Sequence, residues 1–386
     1  MAAKNLATAL ALLPLALGCV KAPEQPTTAA RPGSMVGNKV EPAEPLKPAE
    51  PAEPAGKAQA AEWAAEWAKE QPDEKGPPLP SWKHGQNPFV GVKYWNDPYA
   101  PVRGKSRHLS KTNPEDSALL AKIADHGGAD WIGEWTPYAE NWVRTRVTQI
   151  QKTGSLPVFI AYNLPKRDCG QYSAGGLETA DTYEKWISGL AHGIGDRRAA
   201  VIIEPDSLGL LKWRNCLSPA DQKERLELLR FAVHAFASLG NTAVYLDAGH
   251  SEWIPVVEMA ERLKAAGIAE ADGFSLNVSN YKTTEAEKNY GKEISKHLGG
   301  KHFVIDTGRN GKGPPPCKGV DDENCWCNPA GRGLGTPSTA ETGDPLVDAY
   351  LWLKKPGESD GTCNGGPKAG EFWLDRALEL ARNAEF

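Results

Sequence analysis

Between residues 84 and 386, short apolar runs alternate with longer stretches of helical spacing. The runs 89–93 (FVGVK), 130–133, 157–162 (PVFIAY), 201–204 (VIIE), 243–247 (AVYLD), 273–277, 303–306 (FVID) and 349–353 (AYLWL) predict strands. They are too short for helices, and turn residues bound them. The stretch 218–239 between two of them predicts a helix, with Ser218 as N-cap, Pro219 at the first turn and Gly240 as the stop. Strands alternating with helices imply βαβ units and a parallel sheet. Seven or eight such units over about 300 residues predict a closed or nearly closed α/β barrel, whose active site lies at the strand C-terminal face. An open doubly wound sheet is the alternative. No G-x-G-x-x-G or P-loop follows the early strands, which weakens a nucleotide-binding version of it.

The first 83 residues read differently. Lys4 precedes an apolar run, Leu6 to Leu17, that is too short to span a bilayer and reads as an export signal over residues 1–18. Ala16, Leu17, Gly18 and Cys19 resemble a bacterial lipobox, which predicts lipidation at Cys19 and a lipid as the membrane attachment. Plain secretion is the alternative, since Leu is more usual than Ala at position 16. Residues 19–83 form a Pro/Ala/Glu-rich tether; its repeats (VEPAEPLKPAEPAEPAG) offer too little apolar surface for a core. Trp63 and Trp67 lie one helical turn apart and predict a short helix near 61–70, packed on the domain or touching carbohydrate. The globular domain is expected over 84–386.

Composition narrows the function. A net charge of −5 argues against a nucleic-acid partner, because phosphate binding needs a basic excess. Thirteen tryptophans suit flat ligands such as sugar rings, although any one of them could serve a core. Seven cysteines leave an even six if Cys19 is lipidated: Cys169, Cys216, Cys317, Cys325, Cys327 and Cys363. An even set in an exported chain predicts disulfides. Zinc is the competing reading, but Cys325 and Cys327 are spaced poorly for it and no second pair stands at ligand spacing.

The candidate chemistry sits at the strand ends. The run 157–162 leads to Asp168, 201–204 to Glu204 and Asp206, and 243–247 ends in Asp247 followed by His250. The run 273–277 ends in Asn277, 303–306 in Asp306, and 349–353 is followed by Lys354, Glu358 and Asp360. In a barrel these positions gather on one rim. One strand ending in Asp is ordinary turn chemistry. Five of six consecutive ends bearing a carboxylate imply either a cation site or acid–base chemistry. Trp95, Trp253, Trp326 and Trp352 fall in or near the same segments and favour sugar.

These segments resemble glycoside hydrolase family 6, the inverting cellulases. The two signature stretches are VFIAYNLPKRDCGQYSAGG (158–176) and VIIEPDSLG (201–209). NPFVGVKYW (87–95), YLDAGHSEW (245–253), LNVSNY (276–281), VIDTGRNGKGP (304–314), WCNPAGRGLG (326–335) and DAYLWLKKPGESDG (348–361) follow in order. The resemblance implies a distorted parallel (β/α) barrel acting without a cofactor or metal on β-1,4-glucan. It implies Asp206 as general acid, Asp168 as its neighbour in charge and in handling water, and Asp360 as a disputed base. Tyr162 would crowd the sugar at the cleavage point. Asp247 and His250 would line the site, Lys354 and Glu358 would hold hydroxyls, and Trp95, Trp326 and Trp253 would flank the glucan; Asn277 is placed with them. Cys169–Cys216 and Cys327–Cys363 match the family's disulfides, and Cys317–Cys325 is expected as a local bridge. Ala174 stands where many members have a water-holding serine, with Ser173 beside it.

Trp326 and Asp360 are only 34 residues apart, which leaves little chain for a roof and favours an open cleft and an endoglucanase. A chain-end cellobiohydrolase is the alternative within the family, and the 312–325 stretch could shade the cleft. A non-catalytic carbohydrate-binding lipoprotein would lack the acid, and a metal-dependent hydrolase would place several histidines at strand ends. The chain is expected to act as a monomer on cellulose, related β-glucans or cello-oligosaccharides.

Overall fold

The computed structural model describes residues 76–319 and 322–386. The export signal, Cys19, most of the tether and the Trp63/Trp67 segment lie outside the described residues. Seven strands form one parallel sheet: β2 (Asp130–Ile132), β4 (Val158–Ala161), β5 (Ala199–Ile203), β6 (Thr242–Asp247), β7 (Gly273–Leu276), β8 (His302–Asp306) and β9 (Val347–Leu351), in that spatial order. A two-residue pair, β1 (Lys93–Tyr94) with β3 (Ser155–Leu156), stands beside it. The helices are α1 (Pro101–Leu109), α2 (Pro114–Ala124), α3 (Ala139–Lys152), α4 (Ala180–Ile194), α5 (Pro219–Ala237), α6 (Val256–Ala265), α7 (Thr284–His297) and α8 (Leu374–Arg382). Helix α5 starts as its sequence predicts, with Ser218 accepting a hydrogen bond from Asp221 N and Pro219 in the first turn.

The sheet curls into a distorted barrel. No strand pairing joins β2 to β9, but Ala129 N donates to Trp352 O at 3.2 Å and Trp131 Nε1 to Leu353 O at 2.9 Å. An indole thus stands in for the missing ladder. Alternate residues of each strand divide the core. Phe159, Val201, Val244, Phe274, Phe303 and their neighbours pack under the helices. Ile160, Ala200, Ile202, Ala243, Val304 and Ala349 fill the interior, where small residues match its narrow bore.

One expectation is corrected. The run 89–93 is no barrel strand: Gly91 has φ +71° and only Lys93 pairs, so Phe89 plugs the interior beside Tyr245, ring centroids 5.9 Å apart. The chain before residue 84 also packs on this core. Trp82 is buried in the interior cluster, Leu79 packs against it, and the Arg198 guanidinium lies 5.4 Å over the Trp82 ring.

Candidate active site

Three acids and an asparagine at the rim are set by backbone turns that side chains rarely tolerate. Glu204, Asp206, Asp168 and Asn277 have φ of 50°, 67°, 59° and 66°. Non-glycine residues in this region cost energy and persist where surrounding contacts overdetermine them. Those contacts are present. The fully buried Glu204 carboxylate accepts from Asn163 N at 2.9 Å and Leu164 N at 3.2 Å, joining the end of β5 to the end of β4. Asp247 accepts from Asp206 N at 2.9 Å, Gly249 N at 2.9 Å and Ser275 Oγ at 3.0 Å. Asp306 accepts from Ser279 N, Gly308 N and Lys354 N.

These contacts aim a second set of residues into one groove of about 1880 Å³. Tyr162, Asp168, Asp206, His250, Trp253, Trp326, Lys354, Glu358 and Asp360 line it. Burial and the neighbouring Asp247, Asp168 and Asp360 push the Asp206 carboxyl well above the usual carboxylate range. Burial raises Asp247 as well, to about 7, but its three donors oppose that shift, so the proton of this close pair resides on Asp206. Burial also raises Asp168, to about 6, against the opposing pull of the Ser173 N–H and Arg167. His250 is pushed down to about 3 by burial and Lys282, so the imidazole is neutral. Burial lowers Lys354.

Asp360 is differently held. Arg309 donates to both of its oxygens at 2.8 and 2.9 Å, Tyr281 OH donates at 3.0 Å and Asn328 N at 3.0 Å. Arg309 is buried and its own pKa is raised, chiefly by Asp360, against the opposing effect of burial. Three disulfides brace the loops: Cys169–Cys216, Cys327–Cys363 and Cys317–Cys325. The first ties the Asp168 loop to the segment after Asp206, and the second holds Trp326 near Asp360. Ser173 meets Asp168 through its backbone N–H, at 2.8 Å.

Three of the expected lining residues do not reach the groove. Trp95 is buried under the Arg146 guanidinium, 5.3 Å from its ring, because Arg146 is drawn there by Asp97 and Asp130. Asp247 is inaccessible and spends its oxygens on two backbone N–H groups and the Ser275 hydroxyl. Asn277 is likewise buried, bonded to Lys282 and to Asp306 O. All three support the rim rather than face ligand.

Other residues take their place. Trp131 lines the groove and meets the Tyr162 ring edge-on, centroids 5.2 Å apart. Arg167 lies 4.6 Å over Tyr162 and 5.2 Å over Trp135, and pairs with Glu134. Trp253 rests on Gly209 and Gly249, where any added Cβ would strike its ring. Trp131 is the middle residue of β2, next to its C-terminal end, so the rim argument applied to 130–133 comes close to it. Arg309 gives no such signal, because its pairing with Asp360 crosses 51 residues.

A deep groove on the strand C-terminal rim, with aromatic walls and a proton-holding carboxyl beside a second acid, has the make-up that a carboxylate-dependent hydrolase on an α/β barrel requires. The family model described as "Glycosyl hydrolases family 6" matches residues 89–384, and the chain belongs to that family. It is 42% identical over 273 residues to endoglucanase A of Cellulomonas fimi, covering 70% of this chain and 57% of that protein. Endoglucanase A of Thermobispora bispora is 41% identical over 295 residues, 74% of this chain and 62% of that protein. The chain thus spans about three fifths of the length of these two relatives. The fold matches the endoglucanase Cel6 of Mycobacterium tuberculosis, solved with methyl-cellobiosyl-4-deoxy-4-thio-β-D-cellobioside, with a TM-score of 0.72 and 42% identity over 77% of this chain and 99% of that one.

Proposed function

We propose that this protein hydrolyses internal β-1,4-glucosidic bonds of cellulose or related β-glucans, with inversion. The observation that carries the reading is Asp206, a carboxyl that keeps its proton, facing a tryptophan-walled groove beside Asp168. Asp206 donates its proton to the glycosidic oxygen as the bond breaks. Tyr162, pressed between Trp131 and Arg167, crowds the sugar at that point and favours its flattened, positively charged form. Asp168, raised to about 6, takes the proton of the attacking water through an intervening water. Asp360 was the other candidate for base. With both oxygens committed to Arg309, Tyr281 and Asn328, it contributes negative charge facing the developing cation instead. Neutral His250 and Lys354 with Glu358 hold sugar hydroxyls, and Trp326 and Trp253 carry flanking glucosyl units.

The test of endo action is viscosity against reducing-sugar release on a soluble cellulose derivative. Rapid viscosity loss with little sugar release is expected; release without viscosity loss means chain-end attack. One contact favours that second reading. Tyr172 OH donates to Glu323 at 3.0 Å, linking the Asp168 loop to the Cys317–Cys325 loop at the groove. Export is supported by the three disulfides, which persist in oxidising compartments. Lipidation of Cys19 would anchor the domain to a membrane on its tether. Cys19→Ala should then move the protein from the membrane fraction to the medium; wild-type protein already in the medium speaks for plain secretion.

A further inference from the structure

The groove does not stop at the catalytic rim. It continues down the outer side of helix α3, where Tyr138, Asn141, Thr145 and Gln149 line the same continuous cavity. Their spacing of three, four and four residues puts them on one face of the helix. From Tyr138 to Gln149 that face extends for about 16 Å, at about 1.5 Å of rise per residue. Tyr99, from the loop before α1, lines the same cavity.

The composition of this face is unusual for a solvated helix surface. Tyr138 is 86% exposed with φ +49°, so a strained backbone holds a bare aromatic ring at the N-terminal end of this face. Below it come an amide, a hydroxyl and a second amide, with no charge among the four. Among the described residues, the side chains of Asn141, Thr145 and Gln149 have no protein hydrogen-bond partner, so their donors and acceptors face the groove. An aromatic face followed by spaced neutral donors and acceptors matches a linear sugar chain, which presents apolar ring faces and hydroxyls in alternation.

We propose that this side groove binds further glucosyl units of the chain being cleaved, remote from the bond that breaks. The inference rests on the endoglucanase reading above and adds to it a preference for polymer over short oligosaccharide. Tyr138 stacks on one ring; Asn141, Thr145 and Gln149 hold hydroxyls of the units beyond. This binding energy is the same in ground and transition state, so it lowers KM without raising kcat.

The test compares Tyr138→Ala, Tyr138→Phe and the double variant Asn141→Ala/Gln149→Ala with wild type, on cellotetraose and on a soluble cellulose derivative. The expected result is a KM on the polymer raised about tenfold in the alanine variants, with kcat retained. Cellotetraose kinetics stay unchanged, and Tyr138→Phe behaves as wild type. Unchanged polymer kinetics in the alanine variants overturn the proposal. So does an equal loss on cellotetraose, which means a structural role for these residues. Wild-type protein inactive on both substrates instead sinks the parent reading, so the two failures are distinguishable.

Discussion

Asp206 and Asp168 divide their roles through their surroundings. Both are raised by burial, but only Asp206 has its backbone N–H fastened to a third acid, Asp247, whose charge then works on its carboxyl. Replacing Asp206 with Ala should lower kcat by about 10²–10⁴-fold while leaving cellotetraose binding within a few-fold, measured by steady-state kinetics and calorimetry. Near-normal turnover in that variant removes the acid assignment. Under the proposed mechanism, the pH profile follows from the same shifts. Asp168 must be ionised, so activity rises with pH through about 6. Asp206 must be protonated, so activity falls as pH passes its raised pKa. Asp168→Asn removes one of the like charges that raise Asp206. The alkaline limb of the surviving activity should therefore move to lower pH; a limb that stays in place separates the two groups electrostatically.

At the level of elements, the strand ends are joined to one another by buried carboxylates. Glu204 joins β4 to β5, Asp247 joins β5 to β6 and β7, and Asp306 joins β7, β8 and β9. Each lies where an apolar residue would leave backbone N–H groups without partners, at a cost of about 1–3 kcal/mol apiece. Glu204 gives a measurable sign. Burial raises it from 4.5 to about 7, outweighing the two N–H donors. The folded form therefore holds a proton that the unfolded chain releases. Its contribution is full below about 4.5 and is lost as pH rises through about 7, with a slope of at most about 1.4 kcal/mol per unit. The stability difference between wild type and Glu204→Gln, followed by denaturant titration from pH 4.5 to 7.5, should shrink or reverse in that direction. A difference that grows with pH contradicts the assignment. The Cys169–Cys216 bridge closes 47 residues, worth about 4 kcal/mol by loop entropy. Cys169→Ser/Cys216→Ser should lower Tm and, because the bridge starts beside Asp168, lower kcat more than it raises KM.

Across the whole molecule, an incomplete barrel creates the groove. Between β2 and β9 there is no ladder; the Ala129–Trp352 hydrogen bond, the Trp131 indole on Leu353 O and the Lys355–Asp130 ion pair bridge the gap. The same indole lines the groove and braces Tyr162, so Trp131 links closure of the barrel to shape of the site. Trp131→Phe keeps a ring in the groove but loses the indole N–H, and should cost about 1 kcal/mol of stability with modest loss of activity. Trp131→Ala should damage both. The stereochemical outcome is also a property of the assembled rim, because it depends on the space left for water between groups from different strands. Proton NMR during hydrolysis should show the α-anomer first; a β-anomer means retention.

The sequence by itself determined the alternation of strand and helix, the α5 caps, the carboxylates at strand ends and the family to which those motifs belong. Apolar period, turn chemistry and capping act within a few residues, so they are readable without knowing what lies across the fold. Which rim residues face ligand was decided only by tertiary structure. Trp95 and Trp131 look equally suitable in the chain, yet Arg146 covers the first while the gap between β2 and β9 exposes the second. Asp247 and Asn277 stand at strand ends like Asp206, but their neighbours' backbone N–H and C=O groups claim them. Phe89 reads as part of a strand until the open end of the barrel interior offers it a place to be buried. Facing and burial depend on partners tens to hundreds of residues away, such as Leu353 for Trp131, and no local pattern encodes those partners.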